Sequence, residues 1–196
     1  MHETKKWIIN GEKQVFKSKI FEIYQMDCFL PSKYINNDFY SIHLTDWVNI
    51  FAITEDNKVL LVKQHRLGKN IVTYEVPAGA IDKNEDPQFA AIRELEEETG
   101  YTTDKIVLLK KIAVNPAIQN NTCYFYLALD CKKTKDTDFD TTEELDLVIK
   151  DKEELFNCIN TDLIDNSLAL MSVMFAKEYL SGKWAFSREL VNSIKI

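Results

Sequence analysis

Residues 7–30, WIINGEKQVFKSKIFEIYQMDCFL, alternate apolar or β-branched positions with polar ones around an Asn10-Gly11 turn signal. That period of two predicts two or three antiparallel strands. The polar stretch KYINND at 33–38 predicts a further turn. WVNIFAIT at 47–54 and KVLLVKQ at 58–64 flank the turn residues Glu55, Asp56 and Asn57, which predicts a hairpin. VPAGAID at 76–82 reads as a loop leading into a helix. Asp86-Pro87 supplies an N-cap followed by proline at the first helical position, so the pattern predicts a helix over 87–99, ended by Gly100 as a left-handed cap. Residues 106–115 and 122–132 read as strands joined by PAIQNN, and the acidic stretch 135–146 as a loop before the short strand LDLVIK. Helical spacing returns at 151–159 and 165–183, the latter closing at Gly182. Many strands interleaved with few helices predict an α+β, mixed-sheet architecture.

A chain of 196 residues is long enough to bury a full core as one domain with a small extension. The formal charge of −7 excludes the basic footprint of a general nucleic-acid binder, although an acidic protein can still take phosphates through bridging cations. Cys28, Cys123, Cys131 and Cys158 form no C-x-x-C pair, and no histidine is spaced for zinc. Reduced thiols in a cytoplasmic protein are expected. MHETKKWIIN holds no apolar core of signal length and no apolar run approaches a membrane span, so neither membrane nor nucleic acid is an expected partner.

The stretch RELEEETG at 93–100 changes the picture. On a helical wheel Ala91, Ile92, Leu95 and Thr99, with Phe89 nearby, form the stripe to be buried. Glu94, Glu97 and Glu98 share another face, while Glu96 points elsewhere. Arg93, four residues before Glu97, offsets only part of the repulsion. Two readings follow. A solvated acidic face costs only a few tenths of a kcal/mol per like-charged pair, and clustered carboxylate oxygens are also what a hard divalent cation takes together with substrate phosphates.

The wider spacing bears on that choice. Gly79, Glu85, Arg93, Glu94, Leu95, Glu97, Glu98 and Gly100 match the Nudix box, G-x(5)-E-x(7)-R-E-U-x-E-E-x-G-U, where U is bulky and apolar. Tyr101 stands where the box usually has Ile, Leu or Val. The chain thus resembles the Nudix hydrolase superfamily. The resemblance implies the Nudix fold, an α/β/α sandwich around a mixed sheet, and Mg²⁺-dependent hydrolysis of a nucleoside diphosphate linked to another moiety, with Mn²⁺ as a possible substitute. It also implies that Glu94 and Glu98 ligate metal, that Glu97 is a further ligand or its partner, and that the Ala78 carbonyl adds a ligand. Arg93 would brace the glutamates, Gly79 would allow the loop to approach the helix, and Glu85 would tie loop to helix.

Outside the box, YEVPAGAID at 74–82, VKQHR at 62–66, Pro116 and IDNSLALM at 164–171 resemble the ADP-ribose and nucleoside-diphosphate-sugar pyrophosphatases. That resemblance implies that Arg66 reaches the substrate and that Glu75 touches a ribose or a metal-held water. An exposed strand-end arginine and a turn-capping glutamate are the plainer alternatives. Trp47 could stack on a nucleobase or serve as a core or interface tryptophan. Pro116 marks the subfamily position or simply shapes its turn. Glu143 or Glu144 would take the proton from the attacking water, in a loop where Thr141 and Thr142 replace acids common in relatives; a solvated acidic loop with no catalytic role is the alternative. The resemblance further implies an N-terminal antiparallel β-subdomain (residues 1–45) that dimerises and a Nudix domain at 46–196. ADP-ribose or a similar nucleotide sugar is the expected substrate. GDP-mannose, UDP-sugars and a non-catalytic sensor of nucleotide sugars are the alternatives.

Overall fold

A computed structural model describes residues 5–138 and 144–182. They gather into two compact units, Met1–Asp46 with Ile112–Thr122, and Trp47–Lys111 with Cys123–Ile196.

The first unit is a meander of β1 (Ile8–Lys17), β2 (Glu22–Leu30) and β3 (Ile35–His43), antiparallel in the order β1-β2-β3. Asn10-Gly11 makes no turn. It lies inside β1, where the register slips between Ile9 and Gly11, so the signal marks a bulge. The first reversal is made at Ser18, whose N–H and hydroxyl both donate to the Phe21 carbonyl. The second falls at residues 31–34, with Tyr34 at φ 56°, and residues 35–38, expected in a turn, already pair in β3. The Ile42 N–H donates to the Ile118 carbonyl, and Ile42 accepts from the Asn120 N–H, which ties residues 118–120 to β3.

The second unit is built on an eight-stranded sheet. Its strands are β4 (Trp47–Thr54), β5 (Lys58–Arg66), β6 (Ile71–Glu75), β7 (Ala78–Ala80), β8 (Tyr101–Thr102), β9 (Lys105–Ala113), β10 (Thr122–Lys133) and β11 (Leu145–Asp151). The main path runs β11-β5-β4-β10-β8, with β6 on β5, β7 on β4 and β9 on β10. β4 and β10 run parallel while β5 is antiparallel to its neighbours, so the sheet is mixed. Among the described residues three α-helices accompany it: α1 (Pro87–Thr99), α2 (Lys152–Phe156) and α3 (Ser167–Leu180).

Strand alternation assigns the two faces. Val48, Ile50 and Ala52 of β4 join Ala90, Ala91 and Leu95 of α1 in one buried cluster. Phe51, next in sequence and on the other face, stacks on Phe156 of α2, and Phe125 of β10 meets Phe175 of α3 edge to face. β4 is therefore covered on both sides, which is why WVNIFAIT is nearly all apolar. The layering is helix, mixed sheet, helix, an α+β fold of the kind the resemblance implies. All four cysteines are buried and none is in a disulfide.

Candidate active site

Helix α1 is set by local signals. The Asp86 side chain accepts from the Gln88 N–H at 2.8 Å, Pro87 opens the first turn, and Gly100 closes the helix at φ 75° with its N–H on the Glu96 carbonyl. The buried stripe differs from the wheel at Ala90 and Phe89. Ala90 is buried with Ala91, Leu95, Glu98 and Thr99, Ile92 is half-buried, and Phe89 is 67% exposed.

Arg93 organises the acidic face. Its Nε and Nη2 donate to the two oxygens of Glu85, each at 2.9 Å, and Nη2 also donates to the Ala80 carbonyl at 3.1 Å. Nη1 reaches Glu94 at 2.8 Å and Glu97 at 3.1 Å. Glu85 completes the brace by accepting from the Asp82 N–H at 2.9 Å. These donors, the Arg93 guanidinium first, hold the Glu85 carboxyl below its usual range. Glu85 in turn raises Arg93 above its already high value, so the guanidinium remains charged.

VPAGAID was read as a loop. Its Ala78–Ala80 instead forms β7, paired with β4 through Asn49↔Ala78, Val48↔Gly79 and Trp47↔Ala80. The strand is short because Pro77 offers only its carbonyl, which accepts from the Ile50 N–H. Pairing sets Gly79 directly against α1, where a Cβ would collide with the Glu94 carboxylate. The Ala78 N–H donates to Glu98 Oε2 at 3.0 Å, and Glu98 is only 4% exposed. Glu94 is mostly covered and Glu97 more open, so the three carboxylates grade from buried to accessible along one face.

Among the described residues, no three His, Cys, Asp or Glu side chains converge as a ready-made chelate. The donor chemistry nevertheless fits a hard divalent cation. Three carboxylates share one helix face, and one glycine-lined strand is pressed against it. Arg93 now neutralises Glu94 and Glu97, the role a cation would share.

The second cluster lies on the β5–β6 hairpin. Arg66 Nε and Nη2 grip Glu75 Oε1 and Oε2 at 2.8 and 2.6 Å, and the Thr73 hydroxyl donates to Oε1. Burial pushes Glu75 up. The Arg66 fork, the Thr73 hydroxyl and the Asn166 side chain outweigh it and hold the carboxyl below its usual value. Asn166 is the N-cap of α3, where its Oδ1 accepts from the Leu168 and Ala169 N–H groups, so one side chain joins the helix start to Glu75. The sequence reading missed Asn166 and Thr73. Asn-Ser before the apolar run of α3 is a capping signal that could have drawn attention to the first.

The remaining candidates are dispersed. Trp47 opens β4 half-buried, opposite Ala80. Pro116 is exposed and falls in the unit of the N-terminal sheet. Glu144 is exposed, immediately before Leu145, whose register partner Gln64 stands two residues from Arg66. Glu143 lies outside the described residues.

The family model described as NUDIX domain matches residues 44–158, more than half of the chain. The ADP-ribose pyrophosphatase of Bacillus subtilis (strain 168) is 30% identical over 150 residues, covering 74% of this chain and 80% of that protein. The methanol dehydrogenase activator of Bacillus methanolicus is 32% identical over 166 residues, covering 83% of this chain and 88% of that protein. A crystal structure of an ADP compounds hydrolase superposes with a TM-score of 0.83 at 20% identity, over 93% of this chain and 98% of that one, a likeness of fold. With the family model matching across the strands and helix that carry Arg66, Glu75, Arg93 and the three glutamates, the chain belongs to the NUDIX domain family and is a hydrolase of that family.

Proposed function

We propose that the protein hydrolyses the pyrophosphate bond of ADP-ribose or a related nucleoside diphosphate sugar, giving a nucleoside monophosphate and a sugar phosphate. The observation that carries this reading is the graded carboxylate face of α1, braced by Arg93 and pressed against β7. The similarity to an ADP-ribose pyrophosphatase across four fifths of that protein supports the choice of substrate.

Glu94, Glu97 and Glu98, with the Ala78 carbonyl, would hold Mg²⁺, or Mn²⁺ in its place. When bound, such an ion offsets the charge of a diphosphate and makes attack by water at phosphorus feasible. Arg93 keeps the glutamates from splaying by pairing with Glu94 and Glu97. Arg66, fixed in direction by Glu75, presents cationic charge to the substrate's phosphates. Glu143 or Glu144 serves as the base that accepts the proton of the attacking water. Trp47 is the candidate platform for the nucleobase, and Pro116 shapes the turn after β9. Residues 1–45 act as a dimerisation element, consistent with exposed Ile8, Ile9, Val15 and Phe16 along β1. The protein works in the cytoplasm on a small molecule.

A panel of ADP-ribose, GDP-mannose, a UDP-sugar and a nucleoside triphosphate, each assayed for phosphomonoester release with Mg²⁺, tests the substrate class. ADP-ribose turnover above the others is expected, and a preference for the triphosphate would sink the reading. A second reading rests on the methanol dehydrogenase activator, a relative over 83% of this chain. Under it, the protein acts on a dehydrogenase. A change in such an enzyme's rate, with no turnover of any free nucleotide sugar, would favour it.

A further inference from the structure

Glu96 occupies the position inside R-E-U-x-E-E that the box leaves variable, and the helical wheel points it away from Glu94, Glu97 and Glu98. Its carboxylate is nonetheless engaged on both oxygens by the segment that follows β10. The Thr134 hydroxyl donates to Oε1 at 3.4 Å, and Lys135 Nζ lies 3.3 Å from Oε2. The backbone of the same segment binds the end of the helix. Thr134 N–H donates to the Gly100 carbonyl at 2.9 Å, Lys135 N–H to the same oxygen at 3.3 Å, and Asp138 N–H to the Glu97 carbonyl at 2.9 Å. Gly100 makes this approach possible, since a Cβ there would strike the Lys135 carbonyl.

These contacts answer two physical needs of α1. The last carbonyls of a helix have no partner within it, and here backbone amides from outside reach the carbonyls of Glu97 and of the cap residue Gly100. The last turn also contains no basic residue of its own, while it presents Glu97 and Glu98 at the negative end of the helix dipole. Lys135 brings a cation to that end, as Arg93 does one turn earlier.

We propose that Glu96 is a positioning residue. With Lys135 it docks residues 134–138 onto the C-terminal end of α1, which keeps the last turn wound and sets Asp138 beside Glu97. It acts through the helix turn that presents Glu97 and Glu98, and touches neither substrate nor metal itself. This inference rests on the hydrolytic reading of that face.

The test is a double-mutant cycle of Glu96→Gln, Lys135→Met and both together. Two readouts are taken on the full chain: amide hydrogen exchange at Thr134, Lys135 and Asp138, and steady-state turnover of ADP-ribose with Mg²⁺. Each single variant is expected to exchange faster at those amides and to lower kcat about fivefold with KM unchanged, the scale of a half-exposed ion pair. The double variant should fall no further than either single, because both remove one interaction. Unchanged kcat, losses that multiply, or unmoved exchange would overturn the proposal. If the wild type turns over no nucleoside diphosphate derivative, the functional reading fails. The docking then stands on faster exchange in both single variants and is overturned if exchange is unchanged.

Discussion

The Ala78 N–H donates to the Glu98 carboxylate at 3.0 Å, across the gap between β7 and the last turn of α1. Glu98 is therefore held by the β7 backbone while its residue is only 4% exposed. A buried carboxylate is costly unless hydrogen bonds or positive charge compensate it.

Glu98→Gln keeps the shape and can still accept from Ala78, but removes the charge. Turnover should fall by about 100-fold or more, the scale of losing a principal electrostatic group in a hydrolytic site. Thermal unfolding in the absence of metal should stay within a few degrees of wild type or rise. Full activity in this variant would remove Glu98 from the proposed metal site.

Gly79→Ala tests the packing of β7 on α1. The added methyl group meets the Glu94 carboxylate, and an inserted methyl in a tight contact costs about 1–3 kcal/mol. Glu94 must turn away from Arg93 and the cluster, so activity should drop by more than the loss of stability alone would give. A variant that unfolds at a lower temperature yet keeps its kcat would show that Glu94 is dispensable.

Glu75 gives a prediction in pH. Its folded value lies below the ordinary 4.5, so the stability it contributes is present above 4.5 and drains away as pH falls through the folded value. Glu75→Gln should be less stable than wild type near neutral pH, by about 1–3 kcal/mol for a broken charge-assisted bond. The two curves should converge as pH drops below 4.5. Unfolding followed against pH measures the difference directly, and parallel curves would deny the Arg66–Glu75 pairing. KM should also rise in this variant, because Arg66 loses the partner that fixes its direction.

How much of this was legible in the sequence depended on whether the deciding contact was local. Helix α1 was readable to the residue because its cap, its proline and its terminating glycine all lie within a turn of its ends. The box residues followed from spacing alone. Asn10-Gly11 misled, because the same dipeptide serves a tight turn or a bulge and only the partner strand decides. β7 was invisible as a strand, being three residues of Ala and Gly whose pairing comes from β4. Phe89 was placed too near the core because a wheel knows the direction of a side chain and not whether anything covers it. The links from Asn166 to Glu75 and from Lys135 to Glu96 join residues far apart in the chain, and no local pattern announces them.

The most direct test of the account is the conversion of ADP-ribose by the purified protein, with Mg²⁺ present and again after chelation. The account predicts equal amounts of nucleoside monophosphate and sugar phosphate, complete loss of turnover on chelation, and recovery when Mg²⁺ is restored. Cleavage that survives chelation unchanged, or release of inorganic phosphate in place of the two monoesters, would contradict it.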